Sequence, residues 1–165
     1  VIPFVSVVGW SGSGKTTLIC GLIPELKRRG YKVATIKHDV HGFDLDKPGK
    51  DTWKHSRAGA DTVVISSPQK VAVIEKVSQE LSLDQVVEKI SNVDIIICEG
   101  YKRNNKPKLE VFRSTVHSQP FCGRGDNLFA LASDLHPDLG VPVFALDDFT
   151  GIADLIELKF LRPTV

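Results

Sequence analysis

Apolar residues recur along this chain in two rhythms. Short unbroken runs, Phe4-Val5-Ser6-Val7-Val8, Val33-Ala34-Thr35-Ile36 and Asp94-Ile95-Ile96-Ile97-Cys98, have the length and β-branched content of buried strands in a parallel sheet. Two later runs, 128–132 and 141–146, read the same way, while Leu109-Glu110-Val111-Phe112-Arg113 alternates and predicts a half-exposed strand. Between the runs the period lengthens. Leu18, Leu22 and Leu26 predict a helix over 15–29 stopped by Gly30; Leu83, Val86, Val87 and Ile90 predict another, begun at Ser82 or Asp84. Asp51 is placed to cap a short helix through Arg57 that Gly59 ends. Ile152, Leu155, Ile156 and Phe160 predict a last helix over 152–161. Pro24 conflicts with the first helix at a cost of about 3 kcal/mol, so a kink or break near Gly21 is expected. The runs 61–66 and 70–75 flank Ser67-Pro68-Gln69 and predict an antiparallel pair grafted on the sheet.

The first strand–helix junction carries the chemistry. Gly9-Trp10-Ser11-Gly12-Ser13-Gly14-Lys15-Thr16-Thr17 fits G-x-x-x-x-G-K-[ST], between a strand and a helix as that pattern requires. Glycines bring bare amides against phosphate oxygens, and the helix adds its positive end. Gly12, Ser13, Gly14, Lys15, Thr16 and Thr17 are therefore expected to hold a nucleoside triphosphate, Lys15 at the terminal phosphates and the Thr16 hydroxyl on magnesium. A glycine-rich turn that merely opens a helix would not explain lysine and hydroxyl in the same register. The fold class that follows is α/β, a P-loop NTPase-like three-layer sandwich with a mostly parallel central sheet and an added antiparallel pair.

In such a sheet ligands lie beyond the carboxyl ends of the strands. Those positions hold Lys37 and His38, Glu99 and Gly100, Ser133 and Asp134, and Asp147 and Asp148, which should converge on the phosphate loop. Glu99 is the expected acid for magnesium or its water shell, since Asp94 begins its strand and belongs at the opposite edge. His38 and His41 form at best a weak zinc pair and read better as phosphate or substrate contacts, or as plain loop residues. The segment Gly42 to Lys50 is long enough to be functional, and the basic loop Lys102 to Lys108 is a solvated turn or a contact for a second phosphorylated ligand or a partner. Asp134 and Asp147 both stand where a carboxylate could read guanine, although the N-K-x-D signature is absent.

Composition narrows the setting. At 165 residues one domain, 1–165, is expected, and a net charge of +1 advertises neither nucleic acid nor an anionic membrane. Cys20, Cys98 and Cys122 form no C-x-x-C pair, which suits a reducing cytosol. No basic-then-apolar leader and no apolar run of about eighteen residues occurs, so neither secretion nor membrane spanning is expected.

The phosphate loop, Ile36-Lys37-His38, the segment Asp44 to Thr52, Arg57-Ala58-Gly59-Ala60, Glu99-Gly100-Tyr101-Lys102, Lys108 to Arg113 and Ala132-Ser133-Asp134 together resemble the molybdopterin-guanine dinucleotide biosynthesis protein B family. The resemblance implies a cytoplasmic GTP-binding homodimer with weak GTPase activity, with GTP and Mg2+ as its cofactors. Such a protein is an adaptor for the guanylyltransferase-type partner enzyme that joins GMP to the molybdenum-pterin cofactor, and molybdopterin is a candidate further ligand. By matching positions, Gly12 to Thr17 hold phosphates, Thr16 and Glu99 serve magnesium, and Gly49, Lys50, Asp51 and Thr52 lie at the nucleotide site; whether Asp134 or Asp147 reads the base, the resemblance leaves open. Two other readings compete: an ATP-dependent small-molecule kinase, and a scaffold whose nucleotide only orders the 42–50 loop. Against the kinase, Arg57, Arg103, Arg113 and Arg124 are scattered rather than gathered on a lid.

Overall fold

The described residues of this computed structural model, 1–123 and 125–162, form strands β1 (Phe4–Val8), β2 (Val33–Lys37), β3 (Thr62–Ser66), β4 (Val71–Glu75), β5 (Ile95–Glu99), β6 (Lys108–Phe112), β7 (Leu128–Ser133) and β8 (Val143–Phe144). Helices α1 (Lys15–Arg28), α2 (Asp51–Arg57), α3 (Leu83–Glu88) and α4 (Phe149–Ile156) connect them, and α4 runs on into a π-helical turn, Glu157–Leu161. Arg124, one of the scattered arginines, lies outside the described residues. Two compact units divide the chain: Val1–His38 with the chain from Ile90 onward, and Asp39–Lys89. No helix of the described residues is long and apolar enough to cross a membrane.

The first unit holds a six-stranded, wholly parallel sheet in the order β2-β5-β1-β6-β7-β8. Val5 and Val7 of β1, Ile95 and Ile97 of β5, and Leu109 and Val111 of β6 share one core with Leu18, Leu22 and Leu26 of α1 and Ile152 and Ile156 of α4. Burial of that α1 stripe is worth about 1.5–3 kcal/mol per side chain, which outweighs the hydrogen bond Pro24 removes. The expected break near Gly21 is accordingly not there: α1 is continuous through Pro24. It ends in a Schellman pattern, Tyr31 N to Leu26 O at 3.1 Å and Gly30 N to Lys27 O at 3.0 Å.

Behind that cap an ionic cluster ties α1 to α4. Arg29 reaches Glu25 at 2.8 Å, Asp154 at 2.7 Å and Glu157 at 2.9 Å, and Tyr31 donates to Glu157 at 2.8 Å. Hydrogen bonds from Arg28 and then Arg29 hold the Glu25 carboxyl down at about 2.

The opposite face of the sheet is closed by connections. Ser6, Lys108, Glu110 and Ser133 are buried there. Ser6 meets Asn104, whose Nδ2 lies 2.9 Å from Ser6 Oγ; Lys108 donates to Asn104 O at 2.7 Å and Asp126 O at 2.9 Å; Glu110 accepts from Phe121 N at 2.5 Å and Cys122 N at 2.9 Å. The alternation in β6 was expected to mean a half-exposed strand. Instead all five residues are buried, because both charged side chains find backbone partners. The converse holds at β2, an edge strand in which only Ile36 is buried. β8 is shorter than the 141–146 run, at two residues, since Pro142 offers no N–H to the ladder.

In the second unit the expected antiparallel pair is present as a two-stranded sheet of its own, β3 with β4, Val64 opposite Val73. Val64, Val71 and Val73 share its exposed face. α2 begins one residue earlier than expected: Lys50 has the extended capping backbone, and Asp51, the expected cap, is the first helical residue. Ser82 caps α3 through a reciprocal pair with Gln85.

At Gly21 an added Cβ would lie 2.3 Å from the Phe149 ring, at the contact between α1 and α4. Gly21→Ala should therefore lower the urea-unfolding free energy by about 1–3 kcal/mol despite the better helix propensity of alanine, and Phe149→Leu in the same background should restore part of it.

Candidate functional site

Gly9 to Thr17 leave the buried strand β1 and enter α1 through a turn built on positive φ at Gly9 (139°), Gly12 (77°) and Gly14 (102°). Gly9 is required twice over, because a Cβ there would stand 2.3 Å from the Val111 carbonyl oxygen of β6. Ser13 N closes the turn on Trp10 O at 3.2 Å, and Leu18 N to Gly14 O at 2.9 Å is the first bond of the helix. No side chain caps α1 and no acid lies in its first turn. Its leading amides and positive dipole end are thus left for an anion.

Lys15 folds back over this turn, its Nζ 2.9 Å from Trp10 O and 3.3 Å from Gly9 O. Burial, then the nearby Lys102, lowers its pKa; Glu99 acts the other way and Lys37 again lowers it. The pull of those two lysines identifies a cationic surround to the loop, with Glu99 as its acid. Glu99 sits where expected. Thr16 Oγ1 donates to Glu99, 3.0 Å from Oε2 and 3.2 Å from Oε1, and Lys37 Nζ lies 3.7 Å from Oε1. A hydroxyl and a carboxylate side by side are hard oxygen donors suited to magnesium. Asp94 is at the other edge, accepting from Lys32 N at 2.6 Å.

Glu99 is aimed by the turn that follows it. Gly100 has φ 109°, and a Cβ there would meet His38 Cβ at 2.8 Å. Tyr101 takes φ 46° and stacks on the His38 ring at 4.1 Å, while His38 N donates to Glu99 O at 2.9 Å. His38 thus braces the turn. Among the described residues no three His, Cys, Asp or Glu side chains gather as a metal cluster, so the zinc reading of His38 and His41 has no third ligand.

Asp134 follows the end of β7 with its carboxylate on Ser114, 2.9 Å from the amide and 2.7 Å from Oγ, and these bonds draw its pKa down. It fixes the turn that carries Arg113, whose Nε stands 3.5 Å from Ser13 O. Asp148 caps α4 by accepting from Gly151 N at 2.9 Å. Of the expected strand tips, those of β2, β5 and β7 are joined to the loop by described contacts, and Asp148 is engaged at its own helix.

A further element comes from the chain between β6 and β7. His117 stacks on Trp10 at 3.9 Å and 12°, Trp10 Nε1 donates to Gln119 O at 3.0 Å, and Phe121 meets Trp10 edge-on at 5.4 Å. Lys102 Nζ stands 5.0 Å over the Phe121 ring, so part of the basic loop belongs to the same surround. The one signal in the sequence was an aromatic inside the phosphate loop. Gly49, Lys50, Asp51 and Thr52 lie in the second unit, where Gly49 has φ 85° and Thr52 Oγ1 donates to Asp46 Oδ1 at 3.0 Å.

Residues 4–134 match the family model described as molybdopterin guanine dinucleotide synthesis protein B. The molybdopterin-guanine dinucleotide biosynthesis adapter protein of Escherichia coli K12 is 35% identical over 161 residues, covering 94% of this chain and 92% of its own length. The adapter protein of the same name from Haemophilus influenzae is 32% identical, covering 94% of this chain and 88% of its own. A crystal structure of molybdopterin-guanine biosynthesis protein B superposes with a TM-score of 0.73 at 35% identity over 93% of this chain and 97% of that one. Bacillus subtilis MobB, at 24% identity and TM-score 0.73 over 98% of this chain and 99% of that one, shares the fold.

If Asp134 holds the turn from which His117 reaches Trp10, Asp134→Ala should alter the fluorescence of Trp10, read in a Trp53→Phe background that leaves it the sole indole. The expected result is a changed emission intensity and maximum; an unchanged spectrum would detach the turn from the loop.

Proposed function

The chain belongs to the molybdopterin guanine dinucleotide synthesis protein B family, and on that premise we propose that it is a cytoplasmic GTP-binding adaptor with slow hydrolysis. In this reading it assists a partner enzyme that attaches GMP to molybdopterin. The observation that carries the nucleotide half is the Thr16–Glu99 pair at 3.0 Å, at the uncapped start of α1 and beside Lys15. Gly12 to Thr17 bind the phosphates through amides, and Lys15 exchanges its two loop carbonyls for phosphate oxygens. Thr16 and Glu99 hold magnesium, which neutralises phosphate charge when bound. The reading also includes Gly49, Lys50, Asp51 and Thr52 at the nucleotide. Asp134 takes part through Ser114 and Arg113, or at the base.

Slow turnover follows from the polar groups present. Glu99 is occupied by Thr16 and Lys37, so a general base aligned on water is left to a partner or second subunit. A homodimer is supported by the exposed apolar face of β3–β4, where Val64, Val71 and Val73 are 57%, 64% and 61% exposed.

Calorimetric titration in magnesium should give GTP the higher affinity over ATP, and Lys15→Ala should abolish binding while leaving the circular dichroism intact. Equal affinities, or full binding by the variant, would refute the reading. Glu99→Gln should lower magnesium-dependent hydrolysis at least tenfold, roughly the worth of one charge-assisted contact, with a smaller effect on GTP affinity. Unchanged turnover would return Glu99 to the bracing of its own turn.

A further inference from the structure

Strand β6 runs two residues past its last pairing with β1, from Glu110 to Phe112, and the next residue, Arg113, stands beside the phosphate loop. Its Nε lies 3.5 Å from Ser13 O, and its Nη2 lies 3.5 Å from where a Cβ on Gly14 would be. The guanidinium thus reaches the two residues that lead into α1, the helix whose first amides have no side-chain cap.

The other cations around the loop are engaged. Lys15 is held by two loop carbonyls, Lys37 lies 3.7 Å from Glu99, and Lys102 stands over the Phe121 ring. Arg113 is half-buried, yet among the described residues its side chain makes one hydrogen bond, the long one to Ser13 O, and no ion pair. Asp134, the acid at this turn, is not its partner. One carboxylate oxygen accepts from Ser114 N at 2.9 Å and the other from Ser114 Oγ at 2.7 Å. Those bonds, with Val116 N donating to Arg113 O at 2.9 Å, fix the backbone on which Arg113 sits. A guanidinium has five N–H donors in a planar fork, so with Nε engaged both Nη groups are left over, beside amides suited to an anion.

We propose that Arg113 completes the phosphate site in cis, its two Nη groups donating to phosphate oxygens of the nucleotide held by Gly12 to Thr17. The fork matches the geometry of phosphate oxygens, which an ammonium meets only as a point charge. The inference rests on the nucleotide reading and adds to it a contact supplied from the end of β6 rather than from the loop.

The test is titration of the full chain and of its Arg113→Ala and Arg113→Lys variants with GTP in magnesium, followed by phosphorus NMR spectra of each at saturating GTP. Arg113→Ala should weaken GTP by about tenfold or more, the loss expected of a charge-assisted hydrogen bond. Arg113→Lys keeps the charge without the fork and should recover only part of it, which decides the matter even if Arg113→Ala folds poorly. At saturation at least one phosphate resonance should move in each variant. Unchanged affinity in a folded Arg113→Ala, full affinity in Arg113→Lys, or lost affinity with unmoved phosphate resonances would each overturn the proposal and leave nucleotide binding standing. An unmodified chain that binds no GTP would overturn the nucleotide reading itself, and this inference with it.

Discussion

The register that β1 keeps with its two parallel neighbours sets the site. It puts Val7 opposite Glu99, the last residue of β5, and Val8 opposite Glu110 on the other side, so β1 and β5 end within one residue of each other while β6 runs two residues further, and the phosphate loop leaves from the end of β1. Thr16, one helical step into α1, then faces the Glu99 carboxylate. A one-residue slip of β1 would turn Ser6 into the apolar core and Val5 and Val7 out of it. Five buried residues in β1 and four in β5 make that slip prohibitive, so the core that stabilises the sheet also fixes the acid against the hydroxyl.

The far face of the sheet serves the same site by different physics. Lys108 and Glu110 are buried charges on β6, and each is satisfied by backbone groups of the connections around it. Their removal would leave those connections without anchors. The connections carry Lys102, Arg113 and His117, which surround the loop or touch it. Asp134 adds a third anchor through Ser114. The cationic surround thus depends on polar groups beneath the sheet as much as on the glycines above it.

Much of this was legible in the chain because it is written locally. The strand–glycine–lysine–helix order, the Leu18, Leu22 and Leu26 stripe and the placement of Glu99 beyond an apolar run each depend on neighbours within a few residues. What stayed hidden depends on distant partners. Lys108 and Glu110 look like the outward face of a strand until Asn104, Phe121 and Cys122 are folded onto them. Pro24 looks like a break until the buried stripe around it is weighed. Residues 114–121 have no period, yet His117, Gln119 and Phe121 all meet Trp10.

On the proposed reading, the amides from Gly12 to Thr17, with Thr16 and Glu99, form one phosphate and magnesium site. A crystal structure with a non-hydrolysable GTP analogue and magnesium tests it most directly. Phosphate oxygens should lie within hydrogen-bond distance of those amides, with Lys15 released from Gly9 and Trp10 onto the phosphates and the metal beside Thr16 and Glu99. A nucleotide bound elsewhere with Lys15 still on its loop carbonyls would contradict it.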